Sequence, residues 1–275
     1  MDEGSVVTSV RRELDMLDIH PLRRFGQHFL IDKRVRDELI DQAEITKSDT
    51  VLEVGPGLGF LTAALVSKAG RVIAVEKDRT LAAHLKDKFS THKNLTLIQA
   101  DVLSTRIPDD TKVVSSPPYN ISSGLVLLIT SSKFRLASLL LQEEFVRRLA
   151  APSGSREYGR LTVMVGCKAE TKFVKKVPRN SFYPKPRVDS ALVRMVPHEP
   201  PPVQNGVLFE EIVRNLFTQR RRKLRGVLGR FLKRRFPNQS TEVLRRTFVP
   251  EKRVFETTLQ EFVALSNQIA EATTQ

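Results

Sequence analysis

The chain has 275 residues, of which 40% are hydrophobic and 28% are charged, enough for about two domains with buried cores. This composition excludes intrinsic disorder, and the sequence holds no run of about 18 apolar residues that would predict a membrane span. Its single cysteine, Cys167, excludes an internal disulfide and a thiolate metal cluster, so we expect no metal, and its net charge of +14 favours a polyanionic partner.

Residues 1–24 form an N-terminal extension in which VRRELDML predicts a short polar helix that ends near Pro21. The first residues are charged and lack the apolar core of a secretory signal. We therefore expect a soluble, cytoplasmic protein.

The expected catalytic domain, residues 25–200, begins with a repeated order of strand, turn and helix. Residues 51–54, 71–76, 95–99 and 112–114 predict four strands. The first strand leads into the glycine-rich turn 55–59, the second ends at Glu76, the third leads to Asp101, and the fourth leads into the turn Ser116-Pro117-Pro118-Tyr119. This order predicts parallel strands joined by right-handed crossovers in a doubly wound, Rossmann-like α/β sheet.

Beyond residue 125 the pattern predicts helices interrupted by a buried strand at 136–142. Residues 161–177 and 191–197 predict β-rich runs. Proline and glycine cluster at 197–206 and mark the boundary of a small helical domain, residues 201–275.

The C-terminal domain carries 14 of the chain's Lys and Arg residues against 7 Asp and Glu, and residues 212–241 contain no acidic residue. Apolar residues at helical spacing predict an amphipathic helix pair that displays the basic side chains. A basic block of this kind indicates a polyanion-binding surface or, alternatively, an ordinary solvated helix face.

The glycine-rich turn predicts a close approach of the backbone to a ligand. It reads G-x-G-x-G, whereas a dinucleotide fingerprint requires G-x-G-x-x-G, so a nicotinamide-linked dehydrogenase is the weakest alternative. Glu53 precedes the turn, Glu76 is placed to accept from ribose hydroxyls, and Asp101 could accept from an adenine amine. Together these features favour S-adenosylmethionine as the cofactor.

The turn 116–119 indicates the reaction type. Its two prolines stiffen the backbone, so the carbonyl groups of Ser116 and Pro117 have set directions, and Tyr119 offers an aromatic face. Such a turn can accept hydrogen bonds from a planar amine such as adenine N6 and stack on its ring, which favours methyl transfer to that amine.

Over about residues 22–260 the chain resembles the KsgA family of small-subunit ribosomal RNA adenine N6-dimethyltransferases. The resemblance rests on GQHFL, VLEVGPGLGFLT, VIAVEKD, QADVL, PPYNISS, FYPKPRVDSALV and RRRKLRGVL, in that order. It implies dimethylation of two adjacent adenines in the 3′-terminal hairpin of small-subunit rRNA during ribosome biogenesis, by a monomeric enzyme that uses S-adenosylmethionine.

The resemblance also implies residue roles. The catalytic set is Ser116, Pro117, Tyr119 and Phe182, with Tyr119 and Phe182 sandwiching the target adenine. The cofactor-binding set is Gln27, His28, Leu30, Gly55, Gly57, Glu76, Lys77, Asp101, Val102 and Ser116. The RNA-binding set is Arg220, Arg221, Arg222, Lys223 and Arg225.

One residue departs from the family pattern, because Ser116 stands where the acceptor turn usually has Asn. A Ser hydroxyl is shorter than an Asn side chain, and loss of a contact of about 1 to 3 kcal/mol would slow methyl transfer about tenfold to a hundredfold. Two alternatives therefore stay open: a noncatalytic RNA-binding assembly factor, and an amino methyltransferase that acts on DNA or protein.

Overall fold

The computed structural model describes residues 3–19 and 27–274. Pro21 and Gly26, which belong to the predicted helix end and to the GQHFL motif, lie outside these residues. The chain divides into two compact units. The sheet unit comprises Met1–Val146 and Glu170–Pro197, and the helical unit comprises Arg147–Ala169 and His198–Gln275.

The described strands are β1 (Phe29–Leu30), β2 (Thr50–Val54), β3 (Arg71–Glu76), β4 (Leu95–Gln99), β5 (Lys112–Ser115), β6 (Leu136–Gln142), β7 (Ala169–Val177), β8 (Phe182–Tyr183) and β9 (Ser190–Pro197). The described α-helices are α1 (Glu3–Met16), α2 (Lys33–Asp41), α3 (Phe60–Lys68), α4 (Arg79–Lys88), α5 (Ser122–Thr130), α6 (Glu143–Leu149), α7 (Arg160–Gly166), α8 (Gly206–Phe217), α9 (Leu224–Arg235), α10 (Ser240–Arg246) and α11 (Leu259–Thr274).

Seven strands form one sheet in the order β4-β3-β2-β5-β6-β9-β7. The pairs from β4 to β6 are parallel, whereas β6 and β9 are antiparallel. The chain runs outward from β2 to β4 and then returns to β5 on the other side of β2, so strand order reverses between β2 and β5. The predicted Rossmann-like sheet is confirmed, and ligands of such sheets bind beyond the strand ends at this switch point.

The central strands are apolar and almost entirely buried, as is typical of parallel strands. Val51, Val72 and Val114 are fully buried and belong to one core cluster with Leu65 of α3 and Leu39 of α2. The periodicity that predicted these strands therefore agrees with their burial.

A small second sheet places the GQHFL motif beside the FYPKP loop. Strands β1 and β8 pair antiparallel, with Leu30 opposite Phe182. Asp32 extends the connection, because its carboxylate caps α2 by accepting from the backbone N–H of Arg34 at 2.9 Å and also accepts from the Ser181 hydroxyl at 3.1 Å. This pairing sets the position of His28 relative to the loop that follows β8.

The helical unit corrects two expectations. Residues 161–167 were predicted as strand, but they form α7 and its C-terminal cap. Val163 and Cys167 lie one helical turn apart, and both are buried in the cluster that also contains residues of α8, α9 and α11. Tertiary packing thus overrides the β propensity of this segment. Residues 147–169 also belong to the helical unit, so its bounds differ from the expected 201–275.

Candidate active site

The glycine-rich turn after β2 requires residues without side chains. Gly55 and Gly57 have φ of +66° and +59°, in the left-handed region that favours glycine. A Cβ atom on Gly55 would lie 3.1 Å from Cδ of Pro118, and one on Gly57 would lie 2.9 Å from Cδ1 of Phe29. The backbone of the turn therefore packs closely against Pro118 and Phe29 and leaves no room for a side chain at either glycine. We call this turn the cradle.

Two adjoining pockets open beside this turn, and both are lined by Gln27, Gly55, Glu76 and Pro118. The first pocket also has His28, Leu30, Glu53, Gly57 and Ser116 in its walls. The second also has Lys77, Asp101, Val102, Asn120 and Ile121. The structure thus brings all ten residues of the predicted cofactor-binding set to one continuous cleft.

Glu76 ends β3 between the two pockets. One of its oxygens accepts from the backbone N–H of Gly57 at 3.2 Å, and the other accepts from the backbone N–H of Asp78 at 2.9 Å. Burial raises the pKa of Glu76 above its ordinary value. These two bonds hold the carboxylate in place, and its remaining lone pairs can accept from hydroxyl groups.

Asp101 follows β4 and borders the second pocket. Its carboxylate accepts from Lys77 Nζ at 2.9 Å and from the backbone N–H of Leu103 at 3.0 Å. The bond from Lys77 contributes most to lowering the pKa of Asp101, so the group is an acceptor at neutral pH.

Glu53 is a site residue that the predicted sets leave out, although its place before the glycine turn was a signal. It is 1% exposed, and its Oε2 atom has no hydrogen-bond partner among the described residues. Burial, with a further contribution from the charge of Glu76, raises the pKa of Glu53 to about 8. A buried carboxyl without a full set of partners beside a cleft indicates a ligand group that completes it.

The acceptor turn begins where β5 ends. Ser115 fixes the strand end by donating from its hydroxyl to the Val54 carbonyl at 2.6 Å. Ser116 lines the first pocket, whereas Pro117 is buried. The turn therefore stands at the edge of the cleft on a rigid base.

Tyr119 is held by contacts from two sides. Its hydroxyl lies 2.6 Å from Ser190 Oγ, and its ring centroid lies 5.6 Å from that of His28. Burial raises the pKa of Tyr119 above its ordinary value, so the phenol is neutral at physiological pH. His28 in turn donates from Nδ1 to the Pro184 carbonyl at 2.6 Å, which links the turn to the loop after β8.

Phe182 is placed differently from Tyr119. Its side chain is 3% exposed and packs in the sheet core with Leu30 and Leu192, and it lines neither of the two pockets described above. The adenine sandwich between Tyr119 and Phe182 therefore stays a prediction.

The basic block separates into two kinds of residue. Arg220 donates to the backbone carbonyls of Arg156 at 2.8 Å and Ser155 at 3.2 Å, and its guanidinium lies 5.6 Å from the Phe255 ring centroid. It therefore tethers one loop of the helical unit to another.

The side chains of Arg221, Arg222, Lys223 and Arg225 are exposed. The backbone beneath them is ordered, because Leu224 N–H donates to the Lys252 carbonyl and Val254 N–H to the Arg222 carbonyl. Residues 220–223 form the connection between α8 and α9, rather than part of either helix. Four cations therefore stand on a fixed scaffold, three of them in the connection and the fourth, Arg225, in α9.

The described ranges, 3–19 and 27–274, contain no group of three or more His, Cys, Asp or Glu residues placed to hold a metal ion. None of their helices has the length and apolarity that a membrane span requires.

Comparison with known proteins gives a consistent result. The model of the ribosomal RNA adenine dimethylase family matches residues 21–271. A probable ribosomal RNA small subunit methyltransferase A of Methanosarcina mazei is 41% identical over 205 residues, which is 74% of this chain and 76% of the relative. The ribosomal RNA small subunit methyltransferase A of Leptothrix cholodnii is 38% identical over 258 residues, covering 90% of this chain and 92% of the relative.

Two solved structures are also similar. A dimethyladenosine transferase from Plasmodium falciparum matches with a TM-score of 0.81 and 28% identity, covering 90% of this chain and 98% of the other. The 23S rRNA methyltransferase ErmE matches with a TM-score of 0.68 and 30% identity, covering 88% and 99%. Both matches extend over the sheet and the helical region.

Proposed function

Because the chain belongs to the ribosomal RNA adenine dimethylase family, we propose that it dimethylates N6 of two adjacent adenines in the 3′-terminal hairpin of small-subunit rRNA with S-adenosylmethionine. One observation carries the proposal: the acceptor turn 116–119 borders the cleft that Glu76 and Asp101 line, at the switch point of the sheet. The substrate is then the pre-ribosomal small subunit.

The residues of the cleft fit S-adenosylmethionine. The cofactor supplies a methyl group on a positively charged sulfonium, and its amino-acid end carries an ammonium group. Glu76 places negative charge beside the Gly57 cradle, and Glu53, which has an unpartnered buried oxygen, would add a second negative charge when it ionises. Low solvent access strengthens such charge interactions. Glu76 would accept from the ribose hydroxyls and Asp101 from the adenine amine.

The acceptor turn would act by positioning. The N6 lone pair of adenine is delocalised into the ring, so an oxygen that accepts from the amine favours the geometry in which that lone pair can attack. Ser116 and the Pro117 carbonyl would accept these bonds, and the neutral Tyr119 would stack on the base. Ser190 holds the Tyr119 hydroxyl at 2.6 Å and so would restrict the ring to one orientation.

The helical unit would bind RNA phosphates. Arg221, Arg222, Lys223 and Arg225 are exposed, which leaves them accessible to a polyanion. Contacts of this kind position a structured RNA without reading its sequence. The monomeric state and the cytoplasmic location expected from the sequence belong to the same proposal.

The test uses purified protein, labelled S-adenosylmethionine and small subunits that lack these methyl groups, followed by nucleoside analysis. We expect label in N6,N6-dimethyladenosine from the 3′-terminal hairpin, and none in free DNA or in protein substrates. Tyr119→Ala is the inactive control and should still bind the cofactor. Label only on DNA or protein would refute the ribosomal assignment, and RNA binding without label would favour the noncatalytic assembly factor.

A further inference from the structure

Helix α1 lies against the first pocket, ahead of the residues that the family model matches, which begin at 21. We propose that α1 forms one wall of the cofactor site, with Val10 as a residue that contacts the cofactor and helps to set its affinity. This inference rests on the proposed use of S-adenosylmethionine. The residues that carry the family resemblance do not include this helix, and its contacts place it at the site.

Val10 lines the same pocket as His28, Glu53 and Gly57. It adds to the apolar lining of a pocket that also holds the carboxyl groups of Glu53 and Glu76. An apolar wall excludes water from the pocket and so strengthens the attraction between those carboxylates and a cationic ligand. Val10 is partly exposed, because one side of it faces the cleft.

Apolar packing holds α1 in this position. Leu14, one helical turn after Val10 and on the same face, is 2% exposed and packs with Leu58 and Leu81. Leu58 belongs to the glycine-rich turn, and Leu81 belongs to α4. The helix is therefore packed directly on the turn that forms the cradle.

Polar contacts fix the helix further along the same face. Glu13 accepts from His84 Nε2 at 2.7 Å and pairs with Lys88, which also donates to the Leu58 carbonyl at 2.8 Å. These contacts connect α1, α4 and the glycine-rich turn in one network.

Helix α1 also contacts strand β8. Arg11 donates from Nε to the Tyr183 hydroxyl at 3.1 Å, and its guanidinium lies 5.2 Å from the centre of the Tyr183 ring. Tyr183 immediately precedes Pro184, whose carbonyl accepts from His28. Helix α1 thus contacts the glycine-rich turn and α4 on one side of the first pocket and β8 on the other, so both sides hold it against the pocket.

The experiment compares Val10→Trp with Ser9→Trp in the full chain. Ser9 is the neighbouring residue on the exposed face of α1, so the control adds the same bulk outside the pocket. We expect Val10→Trp to weaken S-adenosylmethionine binding at least tenfold in equilibrium dialysis, and Ser9→Trp to stay within twofold of the wild type. Thermal unfolding and RNA binding of both variants should match the wild type.

Equal cofactor affinity of Val10→Trp and Ser9→Trp would overturn the inference. If Val10→Trp does not fold, Val10→Phe adds less bulk at the same position, and an affinity within twofold of the wild type would overturn the inference equally. Failure of the proposed use of S-adenosylmethionine has a different signature, because the wild type itself would then not bind this cofactor. The dialysis measurement therefore separates the two failures without an RNA substrate.

Discussion

Cofactor binding should release a proton from Glu53. This carboxyl is fully buried, and its pKa of about 8 means that it is about nine-tenths protonated at pH 7. A ligand that carries positive charge into the first pocket favours the ionised form. If the carboxyl is ionised in the complex, binding at pH 7 releases about 0.9 proton.

The same linkage predicts how affinity depends on pH. Because the free protein must lose a proton, affinity should rise as pH rises toward 8, by about 25-fold between pH 6.0 and 7.5, which corresponds to about 2 kcal/mol. Isothermal titration of S-adenosylmethionine in buffers with different ionisation enthalpies measures both the affinity and the number of protons released.

The decisive comparison is with Glu53→Gln, which keeps the shape of the side chain but cannot ionise. This variant should bind more weakly at pH 7.5 and lose most of the proton release. Glu76 lines the same pocket and also has a raised pKa, so the difference in proton release between the two proteins is the measure for Glu53. Equal proton release by the wild type and Glu53→Gln would refute the assignment of the proton to Glu53.

The raised pKa has an opposite consequence for the protein without cofactor. The folded state holds the Glu53 proton more tightly than the unfolded state, so this group lowers stability as pH rises from about 4.5 to 8, by on the order of 4 kcal/mol. Glu53→Gln should therefore unfold at a higher temperature than the wild type at pH 8, and the difference should shrink toward pH 5. A difference that does not change with pH would contradict this reasoning.

Three further predictions concern the acceptor turn and the basic connection. Ser116→Asn should raise methyl incorporation about tenfold or more, because the amide carbonyl reaches further than a hydroxyl; no gain would show that Ser116 is not a weakened substitute. Ser190→Ala should slow methylation about two- to tenfold without changing cofactor affinity, and Tyr119→Phe, which removes the same hydrogen bond, should add no further loss in the double variant. Replacing residues 221–223 with Ala should reduce the slope of the logarithm of the RNA-binding constant against the logarithm of salt concentration by about two, at unchanged thermal stability. Arg220→Ala should instead lower thermal stability and leave this slope unchanged.

Much of the site could be predicted because its residues belong to short motifs at strand ends, and the parallel sheet brings those strand ends together. Glu76 ends a buried strand, and the turn 116–119 follows another. Parallel strands bring their carboxyl ends to one edge, so the residues after them were expected to meet. All ten predicted cofactor-binding residues do lie along one cleft.

Other features depend on contacts between residues distant in sequence. Residues 161–167 have the composition of a strand, yet they are helical because Val163 and Cys167 pack in the helical core. Phe182 and Tyr119 are both aromatic residues in motifs, but core packing buries Phe182. Neighbouring residues of the basic block also differ, because Arg220 donates to two backbone carbonyl groups whereas Arg221 and Arg222 are exposed.

The sequence by itself therefore determined the order of the strands, the ligand-facing turns and the excess of positive charge, since each follows from composition or short-range periodicity. Tertiary structure alone decided the protonation of Glu53 and the place of α1 beside the cofactor cleft. Both depend on burial, and burial is set by which distant segments pack together. The sequence places Glu53 before the glycine-rich turn, but its carboxyl holds a proton near neutral pH only because the fold removes it from water.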